Sequence, residues 1–493
     1  MNAFQPTSLP LLVTIFAVLM IASAVLSGAS HRVGVPVVLA FLVLSIVAGR
    51  IGLSQILAQN YRSYFNFGTI ALILILFDGG LNTPLALLGR GLAPAALLAT
   101  VGVVGTAALI ALCTRLFNFS WPQAFLLGAI VAPTDAAAVF PILRGSGLQL
   151  KRRVGTTLEL ESGLNDPVAV VLTIILTRNL ADHRALALGS LASIPVALII
   201  GGMLGLAIGY GGRFLLPRLR VLAGGLYPII TLALALCCWG AGSLLLGSGF
   251  LAVYAAAVVL GNGTLPYRAG ILRVHDAVAW LCQIVLYLLL GSFAVPSELL
   301  GVAPTGIMIG LFLAFVARPV SVALCLLPFR YSLRETLYVG WVGLRGAVPI
   351  VLAIYPLLIG VDGAREIFNI VFFVVVVSTI VPGATVRWVT ARLDLKSDEQ
   401  TPPPALLEII STRVLTGAEI LSFCVNRSAA ACGAQLSELP FPTESTVILL
   451  IRDSKLIAPR GSTVLLVDDH VYVLCRPEDR PLIYLIFGRS EGD

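Results

Sequence analysis

The sequence predicts an all-α polytopic membrane protein with a small α+β domain at its C-terminal end. Three observations support this fold class. The 493 residues are 58% hydrophobic and 12% charged, with a mean hydropathy of +0.98, far from the balance of a soluble domain. Apolar runs of about 20 residues, each long enough to cross a bilayer as a helix, recur from Leu11 to Trp388. After Arg392 the composition becomes polar and then alternates as β-strands do.

Dividing the apolar runs at glycines, prolines and charge clusters gives about thirteen transmembrane spans. If the polar C-terminal segment is inside the cell, the inner loops hold thirteen Lys and Arg residues and the outer loops hold six. This asymmetry predicts an N-terminus outside and a cytoplasmic C-terminal domain. It also explains the net charge of +7, so we expect a lipid bilayer and no nucleic acid as partner.

The chain is predicted to have three parts. Residues 1–392 form the membrane domain, and the polar, proline-rich residues 393–404 form a linker. Residues 405–489 alternate as strands do, with short helices expected near 432–439 and 480–487. Pattern alone leaves open whether this module is an assembly appendage or a ligand-sensing regulator. The eight cysteines show no metal-ligand spacing, so we expect no metal cofactor.

Few ionisable residues fall within the predicted spans. They are Asp78, Asp135, Glu159, Glu161, Asp166, Arg318 and Arg345. A charged side chain facing lipid at a helix centre costs at least ~2.5–3.5 kcal/mol, so these side chains are expected to face protein or a water-filled cavity. They are therefore functional candidates, although Glu159 is assigned no role and Asp78 could instead belong to a turn at the end of a span.

The segment ESGLND at 161–166 is predicted to be helical. On a helix, Ser162 and Asp166 share one stripe, whereas Glu161 and Asn165 share the neighbouring stripe. Asp166 can therefore face a cavity while Glu161 reaches sideways.

Glu161 is expected to form a structural ion pair with a buried arginine, because an unpaired carboxylate there would take up a proton. From the residues alone, both Arg345 and Arg318 qualify as this partner.

Two spans, the fifth and the twelfth, are interrupted by proline or glycine. They contain VAPTDAAAV at 131–139 and VGLRGAVPIVL at 342–352. An offset of seven spans is odd, so the two run in opposite directions, as in two inverted repeats whose discontinuous helices cross near the bilayer midplane. Asp135 and Arg345 would then complement the exposed helix ends. The alternative for Asp135 is a cap on a kinked helix.

Four segments resemble the cation/proton antiporter superfamily, in its Asn-Asp branch of sodium/proton and potassium/proton exchangers. They are FDGGL at 77–81, PTD at 133–135, ESGLNDPVAVV at 161–171 and GLRGAVP at 343–349. The resemblance implies a homodimer of thirteen-helix protomers in a bacterial inner membrane. Each protomer would have a dimerisation domain and a moving core domain that exchange ions by an elevator form of alternating access.

The resemblance also implies roles for individual residues. Asp166 would carry a transported K⁺ or Na⁺ and a proton in turn. Its neighbours around the cation would be Thr134, Asp135 and Ser162. Residues supporting the crossing would be Glu161, Asn165, Arg318 and Arg345, with Arg345 paired to Glu161. Asp78 stands where some relatives have Glu, which leaves its direct role open.

The C-terminal segment at 452–474 resembles the C-terminal half of regulator-of-potassium-conductance domains. This resemblance implies a small regulatory ligand on residues 405–489, with a nucleotide as one candidate. Antiporters that join these two modules tend to exchange potassium.

The expected function is electroneutral exchange of one monovalent cation, preferably K⁺, for one proton, and not an enzymatic reaction. Residue 165 is Asn, and all three lysines lie outside the predicted spans, so the lysine-paired site of electrogenic relatives is missing. A Na⁺/H⁺ antiporter of the same fold is the first alternative. A gated cation channel is less favoured, because the sequence has no filter motif of the TVGYG type. An intramembrane aspartyl protease and a sensor without transport are further alternatives.

Overall fold

A computed structural model describes most of the chain. The described residues are 8–33, 40, 41, 44, 61–85, 88–136, 138–144, 148–183, 188–219, 223–293, 295–396, 419–427, 429–452, 455–476, 478–488 and 490. The chain divides into two compact units, Met1–Asp398 and Glu399–Asp493. The predicted boundaries of the linker at 393–404 remain a prediction.

The first unit is helical. Its α-helices are α1 (Ser8–Val33), α2 (Tyr61–Leu81), α3 (Leu88–Leu97), α4 (Val103–Thr114), α5 (Trp121–Val131), α6 (Phe140–Arg144), α7 (Arg152–Ala181), α8 (Leu188–Leu215), α9 (Leu226–Leu244), α10 (Gly249–Gly261), α11 (Arg268–Phe293), α12 (Pro296–Phe312), α13 (Arg318–Leu326), α14 (Leu333–Trp341), α15 (Val348–Ile359), α16 (Ala364–Ser378) and α17 (Ala384–Arg392). Short π-helical turns join some of them: Leu98–Gly102, Leu313–Ala317 and Thr379–Gly383.

Within the described residues, eight helical stretches are long and apolar enough to cross a membrane, and four shorter apolar helices accompany them. One further predicted span, between Val33 and Tyr61, lies almost entirely outside the described residues. The predicted class of a polytopic helical membrane protein is confirmed.

Two of the spans are broken in the middle, as the sequence predicts. The fifth span has a break between α5 and α6, where 132–136 and 138–139 are not helical, and the twelfth has one at 342–347 between α14 and α15. Pro133 lies in the first break, where it cannot supply a helical N–H donor. Two glycines lie in the second, Gly343 and Gly346.

The approach to each break has the same local structure. A short 3₁₀ turn ends α4 and α13, and each turn is followed by a residue in the left-handed conformation, Asn118 or Arg330, 212 residues apart. A serine then caps the next helix with a capping box, Ser120 for α5 and Ser332 for α14. A π-helical turn precedes each set. These matched features support the predicted internal repeat.

Helices α2 to α17 can be sorted into two groups, which also contact each other where α2 packs against α15. The scaffold helices are α2 and α8 to α11, in which α10 packs against α2, α8 and α9, and α11 packs against α2. The crossing helices are α3 to α7 and α12 to α17, in which α7 packs against α3 and α5, and α16 packs against α12 and α15. Glycines fix helices inside each group: a Cβ at Gly261 would overlap the Leu81 carbonyl, and one at Gly128 would overlap the Ala107 carbonyl.

The second unit is an α+β domain. Its strands are β1 (Glu419–Cys424), β2 (Thr446–Arg452), β3 (Lys455–Ile457) and β4 (His470–Cys475), in an antiparallel sheet of order β1-β4-β2-β3. Helix α18 (Arg480–Phe487), which the sequence predicts, buries Phe487 against Phe423 of β1.

The helix predicted at 432–439 is wrong. Only a 3₁₀ turn, Leu436–Glu438, forms there. Gly433 has φ of 82°, which a continuing α-helix excludes. Asp468 adopts the left-handed conformation in the turn just before β4.

Candidate functional site

The two breaks meet face to face. The Asp135 N–H donates to the Leu344 carbonyl at 2.8 Å, so one break is hydrogen-bonded to the other. Gly346 lets the second break approach the Asp135 side chain, because a Cβ at Gly346 would overlap Asp135 Oδ2. The Arg345 N–H donates to Ser378 Oγ at 2.9 Å, which ties the second break to α16. The crossing is therefore a defined backbone structure.

Arg345 compensates the carbonyl ends of the broken helices. Its side chain is 3% exposed, and its Nε donates to the carbonyl of Val131, the last residue of α5, at 3.0 Å. Its Nη1 donates to the Gly343 carbonyl, just after α14. The last carbonyls of a helix lack intrahelical partners and carry partial negative charge. The guanidinium therefore neutralises the ends of both half-helices.

Asp135 lies beside the start of α15, where the helix end carries partial positive charge. Its Oδ1 accepts a hydrogen bond from the Ala138 N–H at 3.3 Å, and its carboxylate lies against Gly346, two residues before α15 begins. A carboxylate is stabilised near the N-terminal end of a helix. The structure thus places Asp135 and Arg345 at facing breaks, as the sequence hypothesis has them.

Helix α7 is connected directly to the first break. Asn165, which is fully buried, donates through Nδ2 to Thr134 Oγ1 at 2.8 Å. The Ala136 N–H donates to Ser162 Oγ at 3.0 Å. Asp166 lies one turn after Ser162 and is 7% exposed. Four predicted site residues, Thr134, Asp135, Ser162 and Asp166, are thus brought together, with Asn165 holding the first of them.

Glu161 pairs with Arg318, not with Arg345 as the family resemblance implies. Arg318 Nη1 lies 2.6 Å from Glu161 Oε1, and Arg318 Nη2 donates to Glu161 Oε2 at 2.8 Å. The two side chains are 0% and 2% exposed. Arg318 is the first residue of α13 and directly follows a π-helical turn, whereas Nε and Nη1 of Arg345 donate to backbone carbonyls.

A cavity of about 730 Å³ leads to Asp166. Its walls come from the C-terminal end of α2, the first half of α7, α10, the first half of α11 and the first break. They carry five carboxylates and one guanidinium: Asp78, Asp135, Glu159, Asp166, Asp276 and Arg273. An excess of carboxylates in a cleft raises the local concentration of cations. The arrangement can therefore collect a monovalent cation and deliver it to a buried carboxylate.

The comparisons with known proteins agree with this geometry. Residues 18–392 match the family model described as the sodium/hydrogen exchanger, transmembrane, and residues 420–488 match the TrkA-C domain. The chain belongs to the sodium/hydrogen exchanger family. The TrkA-C match covers most of the module predicted at 405–489 and identifies it as the regulatory-type domain that the sequence suggests.

Several named relatives of this exchanger are similar along nearly its whole length. It is 38% identical over 484 residues to the K(+)/H(+) antiporter NhaP of Alkalimonas amylolytica, covering 97% of this chain and 84% of the relative. It is 38% identical over 481 residues to the K(+)/H(+) antiporter NhaP2 of Shewanella oneidensis, covering 96% and 83%. Its fold matches the sodium proton antiporter MjNhaP1 of Methanocaldococcus jannaschii at pH 8 with a TM-score of 0.66, 23% identity, and 78% and 99% coverage.

Two carboxylates of the cavity, Asp276 and Glu159, had no predicted role. Asp276 follows Arg273 and His275, so it resembles a charge in a loop, yet α11 begins at Arg268 and carries it about two turns into the helix. Glu159 lines the cavity although it is two residues from the ion-paired Glu161. A helical projection of α7 would have found it, because Glu159, Ser162 and Asp166 follow an i, i+3, i+7 pattern.

Asp78 belongs to the last turn of α2, not to a loop. Its carbonyl and its Oδ1 accept hydrogen bonds from Asn82 Nδ2 at 2.9 Å and 3.2 Å. Asp78 lines the cavity. Because α2 ends at Leu81, three residues later, the segment lies at the end of a span as one of the two expectations has it, and a direct role of Asp78 stays a prediction.

Proposed function

We propose that this exchanger is an electroneutral K⁺/H⁺ antiporter in which Asp166 binds one K⁺ and one H⁺ in turn. The supporting observation is the burial of Asp166 at the inner end of an acidic cavity. Among the described residues it has no ion-pair partner. Moving a bare carboxylate through a low-dielectric barrier is costly, so the site reorients readily only when a cation or a proton neutralises it.

The electroneutral stoichiometry follows from the neighbouring charges. Glu161 is matched by Arg318, and Arg345 is matched by helix-end carbonyls. Residue 165 is Asn, whose amide is engaged with Thr134. One carboxylate therefore changes its occupant in each cycle, and one K⁺ leaves for each H⁺ that enters. Potassium is favoured over sodium because relatives that are 38% identical are named K(+)/H(+) antiporters.

The wider setting is also proposed. The positive-inside distribution favours a bacterial inner membrane with the N-terminus outside and the TrkA-C domain in the cytoplasm. The cavity is lined by the C-terminal end of α2 and by the first half of α7. Both of these helix ends adjoin predicted inner loops, so in this orientation the cavity faces the cytoplasm. The exchanger would work as a homodimer, with the crossing helices moving against the scaffold helices in an elevator motion. The TrkA-C domain would bind a small regulatory ligand, with a nucleotide as the first candidate.

Dye-reported proton flux in proteoliposomes tests the proposal. K⁺, Na⁺, Rb⁺ and Li⁺ are offered in turn to the wild type and to Asp166→Asn, which keeps the side-chain size and removes the charge. We expect K⁺ and its close analogue Rb⁺ to drive proton movement without a net current, and the variant to be inactive. A response to Na⁺ alone would assign the chain to Na⁺/H⁺ exchange. Exchange at wild-type speed by Asp166→Asn would refute the role of Asp166.

A further inference from the structure

Tyr254 lies beside the cation site without being a member of the predicted cation-binding set. It is on α10, one of the scaffold helices, and is 5% exposed. Its ring lines the same cavity as Asp166. Its hydroxyl lies 3.3 Å from Thr83 Oγ1, and Thr83 Oγ1 also donates to the Gly79 carbonyl at 2.8 Å. The ring is therefore held in place from the scaffold side.

On the opposite side, the ring rests on the backbone of α7 at Gly163. A Cβ at Gly163 would overlap the Cζ and Cε2 atoms of Tyr254 and would lie 2.5 Å from its hydroxyl oxygen. Gly163 is between Ser162, which is bonded to the first break, and Asp166. The absence of a side chain at 163 thus creates a notch at the centre of the site, and Tyr254 fills it.

The two sides of this contact belong to different helix groups. Tyr254 is fixed to the scaffold, because Gly80 of α2 packs directly on α10: a Cβ at Gly80 would lie 2.9 Å from the Tyr254 carbonyl and 2.6 Å from Ala257 Cβ. Gly163 is fixed to the crossing helices, because α7 is bonded to the first break. The notch is therefore a point at which a scaffold side chain fits into the element that carries Asp166.

The notch has room at one register only. One helical turn is about 5.4 Å, and the residues one turn from Gly163 along α7 are Glu159, Leu160, Asp166 and Pro167, all of which carry side chains. If α7 slides past α10, the ring must leave Gly163 and meet one of them. Close-packed interfaces of this kind have discrete arrangements and do not deform continuously.

We propose that Tyr254 is a positioning residue of the exchange cycle. Seated in the Gly163 notch, its ring holds α7 in the arrangement in which Asp166 faces the cavity, and it leaves the notch when the site changes sides. This inference rests on the proposed function, since it assigns the notch to one state of the antiporter. A side chain added at position 163 should therefore lower the population of the arrangement in which the cavity is open. Removing the Tyr254 ring as well should cancel this effect of the added side chain.

The test uses Gly163→Ala, Tyr254→Ala and the double variant in the full chain. The matched control is Gly155→Ala, on the same helix, where an added Cβ would meet its nearest neighbour, Leu150 Cβ, at an ordinary 3.7 Å. Each variant also carries Ile75→Cys, a cavity residue of α2. Its alkylation by a membrane-impermeant maleimide, followed by peptide mass spectrometry, reports how often the cavity is open.

We expect Gly163→Ala to lower both the alkylation rate and the maximal rate of K⁺-driven proton flux at least about fivefold, because overpacking shifts the population away from this state. Gly155→Ala should stay within about twofold of the wild type. The double variant should recover the alkylation rate of Tyr254→Ala. The proposal is overturned if Gly163→Ala behaves like Gly155→Ala, or if the double variant is as impaired as Gly163→Ala.

The two proposals fail in different ways. A wild type that moves no protons in response to any alkali cation would end the proposed antiport. The alkylation series would still decide whether Tyr254 and Gly163 control the opening of the cavity, because that measurement does not depend on transport.

Discussion

The buried pair of Glu161 and Arg318 gives the sharpest test of how the crossing helices are held together. The two charges are in bidentate contact at 2.6 Å and 2.8 Å, and both side chains are nearly inaccessible to solvent. Removing one member of such a pair leaves the other buried without compensation, at a cost of about 3–5 kcal/mol. Removing both charges is much less costly, because the desolvation penalty disappears with them.

The variants are therefore Glu161→Gln, Arg318→Gln and the combination of the two. At roughly 2 °C per kcal/mol, each single substitution should lower the Tm of the purified protein by about 6–10 °C. The double variant should recover most of this loss. Thermal unfolding followed by tryptophan fluorescence at one fixed scan rate measures the shifts, since unfolding of a membrane protein in detergent is governed by rates as well as by equilibrium.

Arg345→Gln is the comparison that decides between the two possible partners. It should also destabilise the protein, because it removes donors to the Val131 and Gly343 carbonyls. Its coupling to Glu161→Gln should be weaker than the coupling between Glu161→Gln and Arg318→Gln, because Glu161 contacts Arg318 directly. Additive effects at 161 and 318, together with strong coupling between 161 and 345, would refute the pairing described here.

Three further predictions concern other contacts. Gly346→Ala should abolish cation-driven proton flux in proteoliposomes while the protein remains folded by size-exclusion chromatography, because the added Cβ would displace the Asp135 carboxylate; wild-type flux would contradict this. Lys151→Pro removes the N–H that donates to the Leu395 carbonyl at 2.9 Å, in a backbone with φ of −49° that proline tolerates. It should lower Tm by the loss of about one hydrogen bond, ~1 kcal/mol, relative to Lys151→Ala, and equal Tm values would show that the bond is unimportant. Arg452→Ala should destabilise the TrkA-C domain by about 1.5–3 kcal/mol in thermal unfolding, because the fully buried Asp469, just before β4, would lose two charged hydrogen bonds. Arg452→Lys should recover part of this stability.

The broken spans could be predicted from the sequence because their cause is local. Proline and glycine interrupt helices by removing a donor or by weakening the helical backbone, wherever they occur. Acidic and basic residues inside apolar runs are also visible without a structure, since their cost in lipid requires a special environment. The crossing of the two breaks and the positions of Asp135 and Arg345 followed from these two local facts.

The partner of Glu161 could not be predicted, because two arginines satisfy the same local argument. Tertiary structure decides between them. Arg318, which follows the π-helical turn at 313–317, contacts Glu161, while Arg345 donates to the Val131 carbonyl. Gly163 was inside a recognised segment and still had no predicted role. What a glycine makes room for is a tertiary contact, and Tyr254 is 91 positions away along the chain.

The arrangement of charges explains why one position can carry the exchange. At the crossing, Glu161 is matched by Arg318, Arg345 by the Val131 and Gly343 carbonyls, and Asp135 accepts a backbone hydrogen bond at the first break. Neutralising any of these leaves a buried group without its partner, so the penalty falls on stability. Asp166 lacks an ion-pair partner among the described residues, and in the proposed cycle a bound cation or proton neutralises it. In that cycle the charges that hold the crossing together are separate from the charge that changes its occupant, so one site can load and unload without disturbing the structure around it.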